Sequence, residues 1–87
     1  MAMTGMDIEQ VRVLATQLNS AADQVRQIAA DLSAKLGSTT WIGPDQARFN
    51  GDWESQHRPN LTTVADALTQ ASTQASRNAQ EQESASA

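Results

Sequence analysis

The chain has no cysteine and no tyrosine, one phenylalanine, one histidine, two prolines and four glycines among its 87 residues. Without cysteine there is neither a disulfide framework nor a thiolate metal centre, and His57 alone cannot supply a histidine-rich site, so no metal-ligating residue is assigned. No apolar run approaches the roughly 20 residues needed to cross a bilayer, so no membrane span is expected. The opening Met1-Ala2-Met3-Thr4-Gly5-Met6 lacks a basic region followed by an apolar core, and a cleaved secretory leader is not expected either. Basic charge is also scarce. Six dispersed Lys and Arg stand against ten Asp and Glu, for a net charge of −4, which argues against nucleic acid and against anionic lipid as a target.

The means for catalysis are missing as well. His57 has Asp52, Glu54 and Ser55 near it in sequence, but a helix sends such neighbours to different faces, and nothing assembles a nucleophile, a base and an oxyanion site. The carboxylate pairs Asp7/Glu9 and Asp52/Glu54 are two residues apart and do not face one another, so a two-carboxylate mechanism is excluded. The glycines are scattered and form no phosphate loop. The expectation is a protein that is not an enzyme, with no catalytic residue and no cofactor.

What the chain does contain is helical periodicity. Asp7 is a good N-cap, Gln10 falls at the third helical position, and Met6 can pack on Val11 as a hydrophobic staple. Val11, Leu14, Leu18, Ala21, Val25, Ile28 and Leu32 then alternate by three and four, with no Gly or Pro before Gly37. This is an a/d seam on a first helix over about 7–36, roughly 45 Å long at 1.5 Å per residue. Glu9, Arg12, Asp23, Arg26 and Lys35 lie off the seam and read as solvated.

A second helix is predicted from about 44 to 78. Pro44 suits a first helical turn, Asp45 meets the positive end of the helix dipole, and Leu61, Val64, Leu68, Ala71 and Ala75 repeat the three-four spacing. Pro59 predicts a kink, because it removes a hydrogen bond and crowds the preceding turn. The residues after Ala75 are small and polar, and a flexible tail is expected over 79–87. Phe49 and Trp53, one turn apart, are packing residues first and partner-recognition residues second.

Between the helices, residues 37–43 form the hinge of a hairpin. Gly37 is placed to end the first helix at positive φ, and Trp41-Ile42-Gly43 to clasp the two helix ends. Trp41 should lose most of its exposure there, and Gly43 should permit a close backbone approach. The fold class is therefore all-α, one antiparallel helical hairpin forming a single domain. Its apolar content is too small for a hairpin to be stable alone. Val11, Leu14, Leu18, Ala21, Val25, Ile28, Leu32, Leu61, Val64 and Leu68 are thus expected to serve both the hairpin core and a dimer interface, with two hairpins pairing into a four-helix bundle.

The length, the two long helices, the central Trp41-Ile42-Gly43 and the following Pro44-Asp45-Gln46-Ala47-Arg48-Phe49 with Trp53 together resemble the small WXG-motif, ESAT-like proteins of type VII secretion systems, in particular their actinobacterial branch. The resemblance covers essentially the whole chain. It implies a homodimer, or a heterodimer with another WXG protein, that is exported without a cleaved signal peptide after a cytoplasmic stage and is handled by the type VII secretion ATPase. It also implies action by protein–protein contact. An adaptor that holds another type VII substrate in the cytoplasm until export is the alternative. The family's usual export signal, a Tyr followed four residues later by an acidic residue, has no counterpart here; Gln80-Glu81-Gln82-Glu83 retains the acidity without the aromatic.

Overall fold

A computed structural model describes residues 6–86; residues 1–5 and 87 lie outside it, and with them the N-terminal stretch read above for a leader. Helix α1 spans Ile8–Ser38, α2 spans Pro44–Asp52, a π-helical turn covers Trp53–His57, and α3 spans Arg58–Ser86. No strand occurs among the described residues. Helix α1 returns antiparallel against α3, with α2 and the π turn leading from the loop into α3, giving a helical hairpin 67 Å long and 18 by 15 Å across.

The ends of α1 follow from local chemistry. Asp7 sits in extended geometry and its Oδ1 accepts from the Gln10 N–H at 3.1 Å, so one of the unpaired first-turn donors is satisfied. At the other end the structure corrects the expected stop at Gly37. The helix runs through Gly37 to Ser38, and Thr39 caps it in extended geometry: its N–H donates to the Leu36 carbonyl and its hydroxyl to the Lys35 carbonyl at 2.6 Å. A threonine with both a backbone and a side-chain donor does here what a left-handed glycine does in other helices.

Gly43 is the one residue of the hairpin with positive φ (132°) among those described, and it caps α2 immediately before Pro44. A Cβ placed on it would meet nothing within 4 Å. Glycine is therefore required by the backbone angle, and the close approach expected from the sequence is not what requires it. A π turn lies just before Pro59, where the Arg58 N–H reaches back five residues to the Trp53 carbonyl.

The expected flexible tail is helical, with α3 continuing to Ser86. Ala79 is fully buried, Arg12 forms an ion pair with Glu83 at 2.9 Å, and Gln74–Asn78 and Gln82–Ser86 bond one turn apart along the helix. Residues 79–86 lack large apolar side chains, but the contact they join is built from small ones.

That contact is the main departure from the expected core. The buried residues of α1 are Ala15, Ala22 and Ala29, seven apart; those of α3 are Ala65 and Ala79, with half-buried Ser72 midway between them. With heptad positions named so that Val11, Leu18 and Val25 are a and Leu14, Ala21 and Ile28 are d, the buried spine is position e, and Ala65, Ser72 and Ala79 hold the same place relative to Leu61, Leu68 and Val64. Small side chains let the helix backbones come close enough for the Ser72 hydroxyl to donate to the Ala15 carbonyl at 2.6 Å. That proximity leaves the larger a and d residues on the flank of the contact, since no gap remains between the helices for them to fill.

Candidate partner-binding face

Three stripes run along the hairpin, and helix geometry assigns each to a side. At 100° per residue, position a lies 40° and position d 100° to one side of the buried e spine, while b lies 60° to the other side. In an antiparallel pair these offsets carry the a and d stripes of both helices to the same side. Leu14, Leu18, Val25, Ile28 and Leu32 of α1 thus share one face with Leu61, Val64, Leu68, Ala71 and Ala75 of α3. Exposure follows this order. Val11, Leu18, Val25, Leu61 and Leu68 are half-buried at position a, as is Ala21 at d, whereas Leu14, Ile28 and Val64 at d and Leu32 at the last a are exposed by about half their surface.

The opposite side is closed by polar groups. Its b positions on α1 are Arg12, Asn19, Arg26 and Ser33, and three of them reach across the hairpin. Arg12 pairs with Glu83 at 2.9 Å, and this hydrogen bond, with the Glu83 charge, raises the pKa of the guanidinium above its ordinary value. Arg26 reaches Asp66 at 3.1 Å and the Thr69 hydroxyl at 3.0 Å, with Asp23 of its own helix at 3.5 Å. Ser33 accepts from the Trp53 indole N–H at 2.8 Å. These ion pairs are exposed, and screening by water and the entropy of long side chains offset most of their attraction, so they serve register more than stability. One face of the hairpin is therefore stitched and wettable, and the other is apolar and open.

At the loop end the structure separates the aromatic residues that the sequence grouped. Trp53 is buried and occupies the slot between the helices that was expected for Trp41. Trp41 keeps 41% of its surface exposed and leans on Phe49, with ring centroids 5.5 Å apart and planes tilted by 52°. The reason is steric. Trp53 enters from the π turn opposite Ser33 and fills the slot, and the loop tryptophan packs against Phe49 of α2. Leu32, Leu36, Trp41, Phe49 and Trp53, with Lys35 and Thr39, line an open groove of about 300 Å3. Ile42, at the apex beside it, is 92% exposed.

His57 is exposed on the π turn. Among the described residues no cluster of three or more His, Cys, Asp or Glu is placed to hold a metal ion, and no helix is long and apolar enough to cross a membrane.

The residues that the sequence reading missed are the alanines and Ser72 of the spine and the polar bridges of the closed face. Their signal was present as a period of seven in small side chains, one position away from the larger apolar residues. No family model, curated protein or solved structure matches the chain.

Proposed function

We propose that this chain is a non-enzymatic helical-hairpin protein of the WXG, ESAT-like type, exported by a type VII secretion system and working through dimerisation and further protein contacts. The observation that carries the assembly half of the reading is the open apolar face. Two stripes of Leu, Ile and Val run side by side over most of the hairpin and are half exposed, and soluble chains rarely leave such a contiguous surface uncovered. A second hairpin, a copy of this chain or a sister WXG protein, would lay its own stripes on them and complete a four-helix bundle. The secretion half rests on the resemblance. Trp41-Ile42-Gly43 forms the connection between two long helices, and Pro44 opens the second arm.

Without a tyrosine, the chain is exported beside a partner that carries a complete signal, or through a composite surface in which Trp41, Phe49 or Trp53 takes the place of the missing aromatic. The acidic segment Gln80–Glu83 belongs to α3, tied to Arg12, and supports the first route more than a free peptide signal.

Two measurements test the reading. Sedimentation should find a dimer at micromolar concentration that Ile28→Asp dissociates; a stable wild-type monomer would remove the assembly half. Expression in a secretion-competent actinobacterial host should place the protein in the medium only when a sister WXG gene is present. Retention in the cell under every combination would favour the resident adaptor instead.

A further inference from the structure

The hairpin tip carries an apolar knob and an apolar hole side by side. Ile42 stands almost wholly in solvent at the apex, and the groove walled by Leu32, Leu36, Trp41, Phe49 and Trp53 is open next to it. Trp41 walls the groove, whereas Ile42, the next residue, is not among its walls and is the more exposed of the two. The tip also carries opposite charges without partners: Lys35, which lines the groove, and Asp45, three residues after Ile42, make no ion pair among the described residues. A surface that holds both a projection and the recess for it, and both signs of charge, is complementary to itself about a twofold axis.

We propose that the tips of two copies of this chain dock reciprocally, each Ile42 entering the other's groove with Asp45 of one copy facing Lys35 of the other. The partner copy supplies the residue that fills the groove, so neither tip is complete by itself. The groove adjoins the apolar face along α1 and α3 and shares Leu32 with it, whereas Ile42 and Asp45 lie in the loop and on α2, outside that face. Its area is a fraction of the roughly 1,200 Å2 of a stable complex, so the association is weak and depends on concentration. Between hairpins already paired through their faces, it links the pairs at their ends when the tips point in opposite directions, and adds to the pairing when they lie together.

Sedimentation equilibrium from micromolar to millimolar concentration, with tryptophan fluorescence recorded on the same samples, tests the proposal. The expected result is an association step for the full chain in which the mean mass rises above that of the low-concentration species and the emission of the groove tryptophans shifts to the blue. Ile42→Asp should weaken that step by at least about tenfold, since a carboxylate would replace a buried side chain. Lys35→Asp and Asp45→Lys should each weaken it by about two- to fivefold, and the double variant should restore it, because the pair across the interface is then reversed and intact. Circular dichroism checks that the helices are retained, and Lys35→Asp serves if Asp45→Lys loosens the start of α2. A mass that stays constant over the whole range, or a step left unchanged by Ile42→Asp, would overturn the proposal. Whether the low-concentration species is a monomer or a dimer reports on the apolar face, and Ile42→Asp, outside that face, reports on the tip contact.

Discussion

Replacing Ala22 by Leu tests the alanine spine most directly. Ala22 has no exposed surface, and it lies in the middle of the buried series between Ala15 and Ala29. Leucine has nearly the helix propensity of alanine, so the intrinsic change is only a few tenths of a kcal/mol, and the effect reads packing. Three added carbon atoms have no space to occupy, and overpacking a closed contact costs about 1–3 kcal/mol through side-chain and backbone shifts. The helices must move apart to admit the new side chain, which strains the Ser72–Ala15 hydrogen bond one heptad away and the Arg26 bridge to Asp66 one turn away. Losing the hydrogen bond adds about 0.5–1.5 kcal/mol and losing the exposed ion pair less. The sum is a destabilisation of about 2–4 kcal/mol, a large share of the 5–15 kcal/mol typical of a domain. Urea unfolding followed by circular dichroism should show a lower midpoint with an unchanged slope. Were the larger a and d residues the true interior, leucine at Ala22 would widen the apolar stripe and leave the midpoint unchanged or higher. That result would refute the spine.

The two tryptophans should behave differently. Trp53→Ala should cost about 3–5 kcal/mol, because a buried ring and its bond to Ser33 are lost, whereas Trp41→Ala should cost about 1–2 kcal/mol, because its ring is partly exposed on an open groove and leaves no closed cavity; thermal melts of both variants compare them. Gly43→Ala should cost about 1–3 kcal/mol from backbone strain at φ 132° although the space for a methyl group is free, and a melt equal to wild type would mean that the loop relaxes to negative φ. Arg12→Ala should leave the melting midpoint close to wild type yet speed amide hydrogen exchange in the last two turns of α3; equal exchange would show that Ala79 alone holds the tail.

The sequence by itself determined the helices and their hinge. Asp7 and Pro44 mark helix starts by chemistry confined to one turn, the three-four spacing from Val11 to Leu32 admits no other secondary structure, and a chain this short with two long helices and a central break folds back on itself. It also showed that the large apolar residues of α1 form one stripe, because periodicity records which side chains share a side. What periodicity cannot record is which part of that side meets the other helix. Side-chain size along position e decided it: Ala15, Ala22 and Ala29 opposite Ala65, Ser72 and Ala79 allow the closest approach, so the contact formed there and turned the larger residues outward onto one shared face. The competition between Trp41 and Trp53 for one slot was likewise settled only in three dimensions. A position within a loop and a position within a helix look equally able to be buried until the distance across the hairpin to Ser33 is known.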